Sequence, residues 1–532
     1  MTWPRLLLLA LTLISEPSYA TDNAAFDQGV AQLKDRSFKI KAEGVDQIAA
    51  SGHPAAAQVL NHLLEGELYF RNADQRLVVA NKTDNSYQIN DALTAEELGE
   101  ASKDELTKIP LNNRLRGQIR SAIAGLNLSN PDVSVRLAGA QQLLDKPDPD
   151  ALGAVRKQLA KETDATVAET MRMVIAVEDL KSDDNTLVLA AINELSGNLL
   201  PAVRNGLARV QENTTDEEVK QSAKKALASI ESKLQLNQLT ETLFFGLSLG
   251  SVLVLAAIGL AITFGVMGVI NMAHGELIML GAYTTYMVQL LMPNHIDLSL
   301  FVAIPAAFLV SGLVGIAIER GVIRFLYGRP LETLLATFGI SLVLQQLVRT
   351  TISAQNVAVE NPSWMSGSLQ INAALSLTYN RLYIIVFCLI AFFALLLVLK
   401  KSVLGLQVRA VSQNRAMARA MGVRSAWVDA MTFGLGSGIA GVAGVALSQL
   451  TNVGPNLGQS YIIDSFMVVV FGGVGNLWGT LMAGMSLGVV NKFLEPWAGA
   501  VLAKILMLVF IILFIQKRPR GLFPQKGRAA EG

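Results

Sequence analysis

The sequence predicts an all-α fold: a polytopic membrane helix bundle preceded by an exported, mostly helical domain that carries a small β-hairpin. Three observations lead there. Between Lys233 and Arg320 no Lys or Arg occurs at all, a stretch too long for a water-exposed surface. From Leu243 onward, apolar runs near the ~20 residues needed to cross a bilayer alternate with short polar loops. Residues 21–240, by contrast, are rich in Lys, Asp, Glu and Gln. At 532 residues, more than one domain is expected, and only 16% of them are charged. A net charge of +1 argues against a nucleic-acid partner, because phosphate binding needs a concentrated surplus of Lys and Arg. The single cysteine, Cys388, excludes an intrachain disulfide framework.

In chain order, residues 1–20 combine Arg5, an apolar stretch from Leu6 to Ile14, and small residues at Ser18 and Ala20. This reads as a cleaved secretory signal; the alternative, an uncleaved anchor helix, is disfavoured because the apolar stretch is too short to span. Residues 21–239 then form an exported, periplasmic domain. Within it an Asp is followed by a branched residue three positions on, and a small residue three further. The sets are Asp132/Val135/Ala138, Asp164/Val167/Thr170, Asp184/Leu187/Ala190 and Asp216/Val219/Ser222. Alternate starts lie 52 residues apart, the mark of a duplicated two-helix unit with Asp caps and the small residues on the apolar face. The pattern resembles HEAT-type solenoid repeats, and a binding surface is the expected use of such a domain, with scaffolding as the alternative. Helices are expected over Phe26 to Gly66. After them "ELYFRNADQRLVVANKTDNSYQIN" predicts a β-hairpin turning at Asn72, Ala73 and Asp74. His53 and His62 read as packing or surface histidines. No zinc spacing, nucleophile set or phosphate loop is present.

In the membrane half (240–525, with a cytoplasmic tail at 526–532) the predicted spans are 243–264, 268–292, 298–318, 331–351, 381–399, 427–449 and 497–515. An exported N-terminus puts Arg320, Arg324 and Arg329 inside, together with the 400–424 loop. The Lys- and Arg-free loop Ser353–Asn380 falls outside, as the positive-inside rule requires. Lys517, Arg518 and Arg520 should also be inside, so region 462–491 must enter and return, broken at Gly472–Gly475. Irregular backbone at membrane depth survives only in protein or along a cavity, so Gly472, Gly473, Gly475 and Asn476 join the candidate path. "FGVMG" at 264–268 echoes "FGGVG" at 471–475, and paired Gly-interrupted segments point to a site at a repeat interface. Gly434, Gly438 and Gly441 are spaced for close helix packing, between spans or within a permease dimer.

Four motifs carry a resemblance to a known family: "GVMGVINMAHGELIMLGAY", "GLQVRAVSQNRAMARAMGV", "VVVFGGVGNLWGTLMAG" and the ending "RPRGLF". They look like the permease subunits of branched-chain amino acid ABC importers, over about residues 240–525. A signal peptide and long exported domain ahead of that half resembles the permease subunit of bacterial urea ABC importers, of the same class. The resemblance implies an inner-membrane bundle of the ABC importer permease type working by alternating access. It implies as partners a second related permease subunit, ABC ATPase subunits and a periplasmic substrate-binding protein, besides membrane lipid. The chain has no G-x-x-x-x-G-K-[ST] loop, so ATP is used by a partner, and no cofactor, metal or catalytic residue is expected in this chain.

The position matching the family's coupling helix spans Gly405, Arg409, Ala410, Asn414, Ala418 and Gly422. One short helix there is expected to turn Val408, Val411, Met417, Ala420 and Met421 to one side and Arg409, Arg415 and Arg419 to water; a merely solvated, lipid-facing loop is the alternative. Asn271, His274 and Glu276 match an N-x-A-H-G-E pattern. Three readings stay open for them: a substrate-path cluster, a network satisfying a helix break, or a cytoplasmic-end position outside the lipid. Asp464 joins the path candidates at the outer entry of the broken segment, and Lys504 is a further ionisable group at depth without a nameable partner. Urea, neutral and planar, needs a narrow path lined by acceptors and small residues, whereas a zwitterion favours a helix N-terminus or Arg. Few basic residues at depth favour urea over a zwitterion, and branched-chain amino acids or short amides stay as the alternative cargo. A receptor or scaffold with a passive anchor would need no interrupted helices, and a passive channel would need no docking loop.

Overall fold

The computed structural model describes residues 23–82, 86–145 and 149–523; the signal peptide and the 526–532 tail lie outside them. The chain divides into two compact units, Met1–Lys233 and Leu234–Gly532.

The first unit begins with α1 (Asn23–Gln32), α2 (Phe38–Ala50) and α3 (Ala56–Glu65), which bury Phe26, Val45, Ile48, Val59 and Leu60 in one core. The expected hairpin is there: β1 (Leu68–Arg71) pairs antiparallel with β2 (Leu77–Lys82) across the Asn72–Asp74 turn. It is part of something larger. With β3 (Tyr87–Asp91), β4 (Glu97–Ala101) and β5 (Leu106–Lys108) it forms a five-stranded antiparallel sheet of order β4-β3-β2-β1-β5, so the predicted small hairpin is corrected to a sheet in which β5 crosses back to pair with β1. β4, "ELGEA", and the three-residue β5 have too few β-branched or alternating residues to announce themselves. His53 stacks on Phe26 with ring centroids 4.1 Å apart, while His62 pairs with Glu67 at 3.1 Å.

Six helices follow: α4 (Asn113–Leu128), α5 (Val133–Asp145), α6 (Leu152–Leu159), α7 (Ala165–Asp179), α8 (Asn185–Leu195) and α9 (Pro201–Asn213). The Asp residues cap as expected: Asp164 accepts the backbone N–H groups of Thr166 and Val167, Asp184 that of Thr186, and Asp216 those of Glu218 and Val219. The buried faces are partly shifted. Val167 and Thr170 are buried on α7, but on α8 Leu187 is 46% exposed and the core is Val188, Ala191 and Ile192. On α5, likewise, Arg136, Gly139 and Ala140 are buried and Ala138 is not, so in these two helices the inward face begins one residue later than predicted. Arg136 takes that buried place because its guanidinium donates to Glu162 through Nε (2.8 Å) and Nη2 (3.0 Å) and to the carbonyls of Asn130 and Pro131.

The helix α10 (Glu217–Met267) runs 51 residues and contributes to both units. The second unit continues with α11 (His274–Leu291), α12 (Ile296–Gly321), α13 (Pro330–Thr351), a two-stranded ribbon of β6 (Ser368–Asn372) and β7 (Leu375–Thr378), and α14 (Tyr379–Lys401). Two short helices, α15 (Val403–Gln413) and α16 (Arg415–Ala420), precede α17 (Ser425–Ser448), α18 (Leu457–Gly472) and α19 (Leu477–Lys517). Six helices, α10, α12, α13, α14, α17 and α19, are long and apolar enough to cross a membrane, among the described residues. The predicted span 268–292 is corrected: its first six residues are not helical, and α11 is an 18-residue helix opening on His274 and Glu276.

α17 is the hub. A Cβ added at Gly436 would come within 2.6 Å of the Gly259 carbonyl on α10; at Gly438, within 2.7 Å of the Phe308 ring on α12; at Gly441, within 2.5 Å of the Ala307 carbonyl. Gly434 stands against Ile316 in the same way, so this small-residue stripe packs α17 inside its own subunit. Outward faces are apolar: Leu298, Leu313, Ile390, Leu397, Val501 and Ile505 are all exposed.

The predicted break falls between α18 and α19, where Gly473 (φ 104°) and Gly475 (φ 77°) take backbone conformations that a side chain would strain. α19 is itself kinked beside Pro496 at Gly499 (φ 75°). Asp464 pairs with Lys504, and Phe471 packs on Phe514 at 4.8 Å between centroids, so the part of α19 after the kink runs alongside α18 in the same direction. The chain thus runs along α18, turns at the break into α19, and beyond the kink runs beside α18 again.

Candidate functional site

The stretch Asn271–Glu276 is built by a helix that stops and a helix that starts inside the bundle. α10 ends at Met267, Gly268 turns the chain at φ 67°, and α11 opens at His274. The imidazole Nε2 of His274 lies 2.8 Å from the Ala256 carbonyl, eleven residues before the end of α10, or about 16 Å back along that helix. The connection therefore doubles back into the bundle. Asn271 and His274 are fully buried and Glu276 is 1% exposed, so none of the three sits on an exposed end of the subunit. Their directions differ. Asn271 caps the turn, accepting the Ala273 N–H at 3.0 Å, and His274 pins α11 to α10. Glu276 faces α13, where Ser341 Oγ (2.9 Å) and Gln345 Nε2 (2.8 Å) both donate to its Oε1.

That face of α13 escaped the sequence reading. Thr333, Thr337, Ser341 and Gln345 recur every fourth residue and are buried, and Thr337 Oγ1 accepts the Met272 N–H at 3.1 Å. The opposite face exposes Leu331, Leu335 and Leu342. The signal was present as a hydroxyl or amide at each fourth position of "ETLLATFGISLVLQQ".

The other path candidates lie elsewhere. Gly472, Gly473, Gly475 and Asn476 gather against residues 520–523: Leu522 N–H donates to Phe471 O (2.9 Å), Phe523 N–H to Gly472 O (3.2 Å), and Asn476 Nδ2 to Phe523 O (3.1 Å). Gly475 abuts Gly265, nine residues along α10 from the carbonyl that holds His274, or about 13 Å away. This places the break under residues 520–523 and apart from the Asn271–Glu276 cluster. Asp464 is separate again, giving Lys504 the partner that sequence could not name, at 3.1 Å.

The coupling segment also differs from expectation. One helix was predicted; Asn414 ends α15 and caps α16, accepting the Met417 N–H at 2.9 Å, so there are two. Val408, Val411 and Ala418 pack inward with Val428, while Met417 (61%), Met421 (78%) and Ala420 face outward. Arg415 does not face water as predicted: it donates to the buried carboxylate of Asp429 on α17 and to Tyr327, and stacks over the Tyr327 ring. Arg409 donates to the Leu399 carbonyl and Arg419 to Ser425 Oγ. Gly405 fits because its backbone nests on Leu399. Val403, Leu406 and Phe325 extend the exposed apolar surface.

One possible ligand set for a metal exists among the described residues, His62, Glu65 and Glu67 of the first unit; all three are partly exposed, and two already pair with each other.

A polytopic bundle with interrupted helices, buried polar groups at the interruption and an exposed apolar surface on α15 and α16 fits a membrane transport subunit. Residues 242–515 match the model of the branched-chain amino acid transport system permease component, and the chain belongs to that family. It is 32% identical over 291 residues to the high-affinity branched-chain amino acid transport system permease protein LivH of Salmonella typhimurium, covering 53% of this chain and 94% of that one. To BraD, a permease of the same description from Pseudomonas aeruginosa, it is 30% identical over 286 residues, 52% and 93% of the two chains. A probable LivH of Methanocaldococcus jannaschii is 24% identical over 311 residues, 54% and 95%. No solved structure matches. Members of the family are transport components of ABC importers and not enzymes.

Proposed function

We propose that this chain is the permease subunit of an ATP-driven importer of urea. The observation that carries it is the pairing of a family permease over 242–515 with a whole further unit, Met1–Lys233, ahead of the matched segment. A permease with such an extension resembles the urea importers. Alternating access is the mechanism: an ATPase partner moves the α15–α16 segment, and Arg415 passes that movement to α17 through Asp429. The exposed Met417 and Met421 beside an Asn414 hinge support docking on this surface. The cargo passes the Asn271–Glu276 cluster. In this reading the first unit is periplasmic and HEAT-like, residues 1–20 are a signal peptide, and the 400–424 segment and tail are cytoplasmic. A second related permease subunit, two ATPase subunits and a periplasmic binding protein complete the machine, and Lys and Arg of the inner loops meet lipid phosphates.

A second reading, import of branched-chain amino acids, is favoured by what the relatives are named for. Uptake of labelled urea and labelled leucine in cells lacking the subunit separates the two. Urea uptake should disappear and return with the gene; loss of leucine uptake alone refutes the urea assignment.

A further inference from the structure

We propose that α13 forms the selecting surface of the import path, with Ser341 and Gln345 holding Glu276 so that its second carboxylate oxygen accepts N–H groups from a small neutral amide. The proposal rests on the permease reading above and names the cargo class of that site.

Glu276 is 1% exposed and belongs to no ion pair among the described residues. A buried carboxylate without a direct ion pair is costly, and two donors on Oε1, with Arg349 as a more distant positive charge, offset only part of that cost. Oε2 has no protein partner. Ser341 spends its one hydroxyl proton and Gln345 one of its two N–H groups on Oε1, and neither reaches Oε2, so whatever meets Oε2 brings its own N–H or O–H. Nearby, Asn271 is fully buried with Oδ1 engaged by the Ala273 N–H, and its Nδ2 is unpartnered, so that side offers donors to a carbonyl. An unpartnered acceptor and an unpartnered donor five residues apart across one helix start suit a molecule with N–H groups and a carbonyl.

Charge decides between amide and zwitterion. An amino acid could set its ammonium on Glu276, but its carboxylate would then need a cation or a free helix N-terminus. The two N-termini here, those of α11 and α18, close on each other: a Cβ at Gly275 would lie 2.6 Å from the Gly458 carbonyl. Arg349, one turn beyond Gln345 on α13, is turned to Asn456, donating to its Oδ1 at 2.7 Å. A neutral amide needs neither.

The test uses the complete importer, with its ATPase and binding-protein subunits, in proteoliposomes with labelled urea. A wild-type complex that imports leucine and not urea defeats the urea reading by itself, before any variant is made. With urea import established, Gln345→Leu and Ser341→Ala should each raise the KM for urea about tenfold with the maximal rate within about twofold, the split expected when only binding is lost. Glu276→Gln leaves its one carbonyl oxygen to Ser341 and Gln345 and turns an NH2 donor to the cargo, so it should raise the KM at least about tenfold, and Glu276→Leu should abolish uptake. Thermal midpoints of each variant in detergent separate lost binding from lost folding. Folded Gln345→Leu and Ser341→Ala proteins with unchanged KM overturn the proposal, as does a folded Glu276→Gln protein with the wild-type KM, since the second carboxylate oxygen would then accept nothing from the cargo.

Discussion

At the scale of single residues, partners decide whether a charge is a burden or a tie. In the first unit, Glu162 is almost wholly inaccessible, and hydrogen bonds from Arg136 hold its carboxyl below the usual carboxylate range, helped by the backbone N–H groups of Thr163 and Asp164 against the opposing pull of burial. A lowered native pKa stabilises the fold at pH above the unfolded carboxylate value, near 4.5, and that stability is lost as pH falls through the native value. The thermal midpoint of this unit in the full chain should therefore fall on acidification below that point. In Arg136→Met, the midpoint should already be lower at neutral pH and should change less, or rise, on acidification, because an unpaired buried carboxylate is relieved by a proton. A parallel pH profile for the variant would show that the pair does not matter. In the second unit Asp464 and Lys504 make the same kind of tie where sequence offered two lone charges.

At the scale of elements, close glycine crossings set how helices meet. A side chain at Gly444 on α17 would strike the backbone of α11, its Cβ 2.7 Å from the Ala282 nitrogen. Gly444→Val should separate the two helices and cost at least the roughly 1–3 kcal/mol typical of an overpacked core. Loss of the monodisperse peak in detergent would register it, and a peak indistinguishable from wild type would contradict the packing. The α15–α16 pair makes the opposite prediction. Met417 and Met421 touch little of their own subunit, so Met417→Glu with Met421→Glu should change the thermal midpoint negligibly, as exposed substitutions do, to within about 0.5 kcal/mol each. It should nevertheless abolish co-purification of the ATPase subunits; retained co-purification would move the docking surface elsewhere. Element existence was legible here and facing was not. "GLQVRAVSQNRAMARAMGV" announces a helical docking segment, but that Asn414 divides it and Asp429 captures Arg415 depends on α17 lying alongside.

For the whole molecule, the prediction concerns sidedness. Protease added to sealed spheroplasts should remove the first unit and leave the 400–424 segment intact, because Lys and Arg gather in the loops assigned to the cytoplasm. Protection of the first unit would invert the arrangement. Long apolar runs, Asp caps and the Gly-Gly break were readable because hydropathy, capping and positive φ are local properties, each written in a few neighbouring residues. The β4 and β5 strands were not, since β4 and β5 owe their place to pairing with β3 and β1 and not to their own side chains. By itself the sequence determined that this protein crosses a membrane many times, with interrupted helices and a polar cluster at 271–276. Only the tertiary structure decided which of those groups meet. It set Glu276 on Ser341 and Gln345, drew His274 to α10, and laid the 473–476 break against residues 520–523. Spacing along one helix fixes the face a residue occupies, but which neighbour covers that face is settled by packing between segments distant in the chain.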